Sequence, residues 1–207
     1  MHTLRTRPVD SSQKLESLPL IRARDMEQSS SKAEWRFASL KGRVCELGAH
    51  GLSAIACIVA DAQKHGHRCV WVQARDDYAY LPDLMAWSVD PSVIPFIRVS
   101  EGSGLASVLD RLISSAAFGL VVLDLDASMP WSSAMQLRLV RMVQHHDVAL
   151  LCIRSGASSR SSLVDMRARG EIDSSACESV RIVIEKDKRH SGVRQYQEQC
   201  YGPAWMS

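Results

Sequence analysis

The stretch from Gly42 to Ala74 limits what this chain can fold into more than any other. Gly42-Arg43-Val44-Cys45-Glu46-Leu47 reads as a buried strand running into a glycine turn, Gly48-Ala49-His50-Gly51. From Ser53 to Lys64, Ile55, Ile58, Val59 and Ala62 recur at helical spacing. His65-Gly66-His67 stops that helix, and Arg68-Cys69-Val70-Trp71-Val72 begins a second strand. Strand, glycine loop, helix and strand make a βαβ unit, in which a nucleotide phosphate can sit on the helix N-terminus.

The loop has that position without the matching chemistry. A phosphate-binding loop of this kind carries four residues between its glycines and then Gly-Lys-Ser/Thr. Here only Ala49 and His50 separate Gly48 from Gly51, and Leu52 stands where the lysine belongs. Ser53 keeps a hydroxyl of the type that meets magnesium, but no ammonium is present to neutralise a β- or γ-phosphate. Gly48, Gly51, Leu52 and Ser53 therefore read as a degenerate nucleotide site, with no catalytic residue, cofactor or metal expected. The same residues serve equally well as a tight turn ahead of a helix capped by Ser53.

The chain has 207 residues, 46% of them hydrophobic and 23% charged, which suits one domain with a full core. The net charge of +2 is too small to argue for nucleic acid by itself. Six scattered cysteines without a CxxC pair point to buried thiols in a reducing, cytoplasmic setting. The apolar runs are too short to cross a membrane, and no apolar leader opens the chain. Residues 1–33 are polar, basic and serine-rich and read as a flexible tail, with 34–207 as a single domain. Inside the tail, residues 15–24 form an apolar island in which Leu18, Leu20, Ile21 and Arg22 would either dock on a partner or pack on their own domain.

The body alternates strands and helices. Tyr80–Trp87 reads as a short helix, and Val93–Val99 as a strand that Pro95 assigns to an edge or a bulge. Leu105, Val108, Leu109, Leu112 and Ile113 mark a helix within Gly102–Ala117. Gly119–Asp124 is a continuous apolar run, as expected of a central parallel strand. Ser132–Gln144 reads as a helix and Val148–Ile153 as a buried strand. Arg154 to Ser179 reads as irregular, and Val180–Glu185 with Val193–Cys200 as a terminal hairpin. The fold class is α/β: a mostly parallel sheet flanked by helices, with a C-terminal antiparallel hairpin.

Asp124 ends the clearest strand. It would hold magnesium through water, or else cap the loop leading to Asp126. Arg75 stands at the end of the preceding strand, where a water-activating base would be needed, and a guanidinium accepts no proton. Asp76 and Asp77 beside it read as a solvated turn. The seven histidines show no metal-ligand spacing. Arg154, Arg160, Arg167 and Arg169 mark a cationic segment that would either touch DNA weakly or stay solvated.

The order of these features resembles the RecA family. Gly42–Leu47, the glycine loop and Cys69–Ala74 resemble its first strand, phosphate loop and second strand. Phe118–Asp124 resembles its Walker B strand. Cys152-Ile153-Arg154 and Ser179–Ile184 resemble the strands flanking its second DNA-binding loop, and Val193–Tyr196 the strand that follows. Leu18–Arg24 is similar to the N-terminal strand that RecA donates to a neighbour. Relatives without a working phosphate loop form the ImuA group, which is related to SulA. That resemblance implies a RecA-like core and a non-catalytic accessory factor of damage-induced mutagenesis. It also implies binding to RecA or to an ImuB-type Y-family polymerase homologue, and leaves the oligomeric state open. The alternatives are a SulA-like division inhibitor that binds FtsZ, and a divergent ATPase using Ser53, Asp124 and a lysine from elsewhere.

Overall fold

The structure, a computed structural model, describes residues 35–48, 51–74, 84–99, 104–126, 132–154, 163–172, 179–190 and 194–199. The tail with its island 15–24, Ala49-His50, the acids and arginine at 75–77 and the first half of Tyr80–Trp87 lie outside the described residues. The elements are α1 (Phe37–Leu40), β1 (Val44–Leu47), α2 (Gly51–Lys64), β2 (Cys69–Ala74), a 3-10 turn (Pro91–Val93) and β3 (Phe96–Arg98). They continue with α3 (Gly104–Ser114), β4 (Leu120–Leu125), α4 (Ser133–His146), β5 (Ala149–Arg154), β6 (Met166–Ile172), β7 (Ser179–Asp187) and β8 (Arg194–Gln199).

The eight strands form one sheet in the order β3-β2-β4-β5-β1-β6-β7-β8. Pairing is parallel from β3 through to β6, and antiparallel from β6 through β7 to β8. The sheet is therefore mostly parallel with an antiparallel C-terminal wing, as the alternation of elements predicts. β4 and β5 are central and covered on both faces, which explains their unbroken apolar runs.

The direction of the connections decides which face each helix covers. α2 carries the chain from β1 across β5 and β4 to β2, while α3 and α4 lead back the other way to β4 and β5. Right-handed crossovers running in opposite directions place their helices on opposite faces. Accordingly Ile55, Ile58, Val59 and Ala62 of α2 pack with Trp35, Phe37 and Leu40 on one face, against Leu47, Trp71, Val122 and Leu151. Leu105, Leu109 and Ile113 of α3, with Leu139 and Val143 of α4, cover Val70, Val72, Val121, Leu123 and Leu150 on the other. Each fully buried isoleucine in this set contributes about 1.5–3 kcal/mol through burial.

Hydrogen bonds fix the ends of these elements. Trp35 Nε1 donates to the Ala54 carbonyl at 2.9 Å, and the Phe37 N–H donates to Asp61 Oδ2 at 2.8 Å, so α2 holds the start of the body. Ser132 caps α4 by accepting from the Met135 N–H at 3.2 Å. Helices α2, α3 and α4 are each followed by a residue in left-handed backbone, Gly66 (φ 75°), Ala116 (φ 51°) and Asp147 (φ 54°). These three residues line one polar hollow of about 350 Å³ at the amino edge of the sheet, with Lys41, His67, Arg68 and His146.

Two sequence expectations are corrected. The segment Arg154–Ser179 is not irregular throughout, because Met166–Ile172 is β6, paired with β1 and β7. The helix after the glycine turn begins at Gly51, not Ser53, which places Ser53 inside its first turn and rules it out as the cap.

Candidate functional site

The direction of the connections reverses between β5 and β1, and the carboxyl ends of strands at such a point are where ligands of open α/β sheets bind. The glycine turn lies on this edge. Leu47 ends β1, and the Gly48 N–H donates to the Ala168 carbonyl of β6 at 3.0 Å. The Gly51 N–H donates to the Gly48 carbonyl, also at 3.0 Å, closing a four-residue turn. Both glycine amides of the loop are thus committed inward. A phosphate cradle needs such amides turned outward toward the anion.

Sterics explain the second glycine. A Cβ on Gly51 would lie 3.0 Å from Leu47 Cβ, whereas a Cβ on Gly48 would meet nothing nearer than 3.9 Å. Leu52 is half-buried and packs against the α2-side core, so its side chain belongs to the protein interior and not to a ligand. Ser53 follows in the first helical turn and is also half-buried.

Asp124 lies in β4, in register with Gln73 of β2 and Ile153 of β5. It is 4% exposed and shares the α2 side of the sheet with Leu120 and Val122 by strand alternation. Gln73 is buried beside it, and neither side chain lacks a partner. β5 stands between β1 and β4, which sets their ends two strand spacings, about 10 Å, apart.

The arginines expected to mark a DNA-contacting loop are placed differently. Arg160 lies outside the described residues, and Arg154 is the half-buried last residue of β5. Arg167 and Arg169 project from β6 and are ion-paired. Arg167 gives Nη2 at 2.8 Å and Nε at 3.1 Å to Glu46 Oε2, with both side chains only 13% exposed. Arg169 donates Nη2 to Glu171 Oε1 at 2.8 Å and Nη1 to Glu185 Oε1 at 2.6 Å. Its hydrogen bond to Glu171 and then that to Glu185 push its pKa further up. A phosphodiester would have to displace these carboxylates, so this pair of arginines does not form a free cationic loop.

A denser electrostatic feature lies at the opposite edge and carries no local sequence signal. Arg43, 1% exposed, is ion-paired through Nη2 with the fully buried Asp187 carboxylate, 144 residues away. Arg194 Nη2 meets the other oxygen of Asp187, which also lies 3.1 Å from His190 Nδ1. The Arg189 N–H donates to Asp187 Oδ1 at 2.9 Å. Burial raises the Asp187 pKa, but the Arg189 N–H, Arg43 and His190 outweigh burial and hold it at about 2. Beside this cluster, Asp165 Oδ2 accepts from the Val44 N–H at 3.1 Å and so fixes the entry of β1. The cluster ties β1 to the antiparallel wing.

A groove of about 1250 Å³ runs along the outer side of α2, lined by Phe37, Cys57, Ala60, Lys64, Trp87 and Val93 among others. Among the described residues no His/Cys/Asp/Glu group of three or more could hold a metal ion. No helix among them is long and apolar enough to cross a membrane. Comparison with protein-family models and with curated proteins finds no match for this chain.

Proposed function

We propose that this chain is a non-catalytic accessory protein of damage-induced mutagenesis, acting in translesion DNA synthesis by binding RecA, an ImuB-type polymerase homologue, or both. The partner classes come from the RecA-like order of sequence features. The observation that carries the non-catalytic part is the closed glycine turn, with the Gly48 and Gly51 amides donated to backbone carbonyls and the half-buried Leu52 packed against the core. In a helix entered through such a turn, the two glycine amides are already donated to backbone carbonyls and are not free for a phosphate. Such a domain acts through its surfaces.

The test has two parts. Calorimetry of the purified chain with ATP and magnesium is expected to give no binding heat, and thermal melting no shift. Immobilised chain is expected to retain purified RecA or the polymerase homologue. Recovery of neither protein sinks the partner reading. ATP hydrolysis that disappears in Asp124→Ala sinks the non-catalytic reading.

A further inference from the structure

The corner of the sheet around Asp187 concentrates charge of one sign. Six cations meet there: Arg43, Arg167, Lys186, Lys188, Arg189 and Arg194. Three carboxylates answer them, those of Glu46, Asp165 and Asp187. The corner therefore carries a formal +3, whereas the whole chain carries +2, so everything outside the corner sums to −1. His190 adds to the cationic side when it is protonated.

The two signs are sorted by depth. The Asp187 side chain is fully buried, and those of Asp165 and Glu46 are 11% and 13% exposed. Lys188, Arg189 and His190, which leave β7 together, are all exposed. Arg43 and Arg194 stay on Asp187, and Arg167 on Glu46, so none of these three is offered to a ligand. Lys188 lies 3.5 Å from Asp165 Oδ1, a half-exposed pair that is weak and easily exchanged. Arg189 uses its backbone N–H on Asp187, and its guanidinium meets no carboxylate among the described residues. Lys186 stands directly opposite Arg167 across the β6–β7 ladder. Burial lowers the Lys186 pKa first, and repulsion from Lys188 and Arg167 lowers it further. Solvent thus meets cations while the carboxylates face inward, and what the corner lacks is an anion from outside.

The surroundings narrow the class of anion. A protein partner needs an apolar centre with aromatic anchors. The large exposed hydrophobics among the described residues are Val93, Phe96 and Leu137, all on other elements. Unpaired bases need rings to stack on, and residues 186–194 contain no Phe, Tyr or Trp. A duplex backbone needs only projecting cations. We infer that the exposed turn Lys188-Arg189-His190, with Lys186 behind it, is a contact surface for the phosphate backbone of double-stranded nucleic acid. The contact reads no sequence. It is independent of the RecA and polymerase reading, because the pull-downs and the measurement below fail separately.

The test is fluorescence anisotropy of the full chain with a labelled duplex of about 20 bp, from about 50 to 200 mM salt. Wild type is expected to bind at the low end and to lose about 40-fold in affinity across the range, from the slope of about −2.7 that three neutralised phosphates give. Arg189→Gln removes a guanidinium that leaves no partner stranded, and is expected to shorten the slope by about 0.9. Lys188→Gln with Arg189→Gln is expected to shorten it by about 1.8. Arg111→Gln makes the same change of charge at an exposed position of α3 and is expected to leave slope and affinity unchanged. A wild type that binds no duplex at the lowest salt overturns the proposal. So does Arg111→Gln that weakens binding as much as Arg189→Gln, since net charge alone would then account for it. Binding to vesicles of anionic lipid that the double variant loses, with the duplex unbound, gives the surface to a membrane and overturns it too.

Discussion

Asp187→Ala removes the carboxylate on which Arg43 and Arg194 converge. Arg194 is partly exposed and can turn its guanidinium to water, but Arg43 is enclosed. It would keep only carbonyl partners, Ser39 O at 3.4 Å and Asp165 O at 3.3 Å. Stranding a buried cation in this way costs about 3–5 kcal/mol, roughly 10 °C in Tm for a domain of this size. Urea unfolding followed by circular dichroism reads the loss as a lower midpoint at unchanged slope. Arg43→Met combined with Asp187→Leu removes both charges and fills the space with apolar atoms. That double variant is expected within about 1–2 kcal/mol of wild type, because replacing a buried ion pair is far cheaper than breaking it. The pH profile supplies a second reading. Asp187 has its folded pKa at about 2, below its ordinary value of 3.8, so its contribution is fully present above about pH 4 and disappears as pH falls through 2. A loss under about 1 kcal/mol in Asp187→Ala would refute the reasoning, as would a double variant no more stable than the single one.

Three further outcomes follow from local geometry. Gly51→Ala is expected to lose about 1–3 kcal/mol through the 3.0 Å approach to Leu47 Cβ, while Gly48→Ala changes the denaturation midpoint little; equal effects would dismiss the steric account. Ala116→Gly relieves left-handed backbone at φ 51° and is expected to raise stability by up to about 1 kcal/mol, read as a higher Tm. Burial pushes the Cys45 and Cys69 thiols up to about 12 and raises Cys152 as well, whereas Cys57 is half-exposed. Iodoacetamide at pH 8, followed by peptide mass spectrometry, is expected to label Cys57 first of these four; earlier labelling of Cys45 would contradict the burial.

The strands that sequence reading placed well carry their evidence within a few residues. Leu120–Leu125 and Ala149–Arg154 are nearly unbroken apolar runs, and of the edge or bulge that Pro95 offers the structure takes the edge, with the strand shortened from Val93–Val99 to Phe96–Arg98 behind the turn Pro91–Val93. β6 was misread because its evidence is distant. Met166-Arg167-Ala168-Arg169-Gly170-Glu171-Ile172 alternates with period two, and Met166 and Ala168 face the core. Its arginines resemble a solvated cationic stretch until Glu46 and Glu185 are seen to meet them. The start of α2 was displaced by two residues for a different reason. Serine is a strong capping signal, but the turn that closes from Gly51 to Gly48 begins the helix earlier. The Arg43–Asp187 cluster joins positions 144 apart, and no local pattern announces it. The absence of a lysine at Leu52 is plain in the sequence, whereas the hydrogen bond from the Gly48 amide to Ala168 needed the neighbouring strand.

The hollow where α2, α3 and α4 end has an electrostatic consequence. Each helix C-terminus presents carbonyls worth roughly half a negative charge, so three ends together bring about one and a half negative charges to one place. Lys41, Arg68, His67 and His146 line that place. Counted by side chain alone they form a basic patch that only Asp147, 2.9 Å from Lys41, offsets. Counted with the backbone, much of that charge is already answered by the helices that stop there.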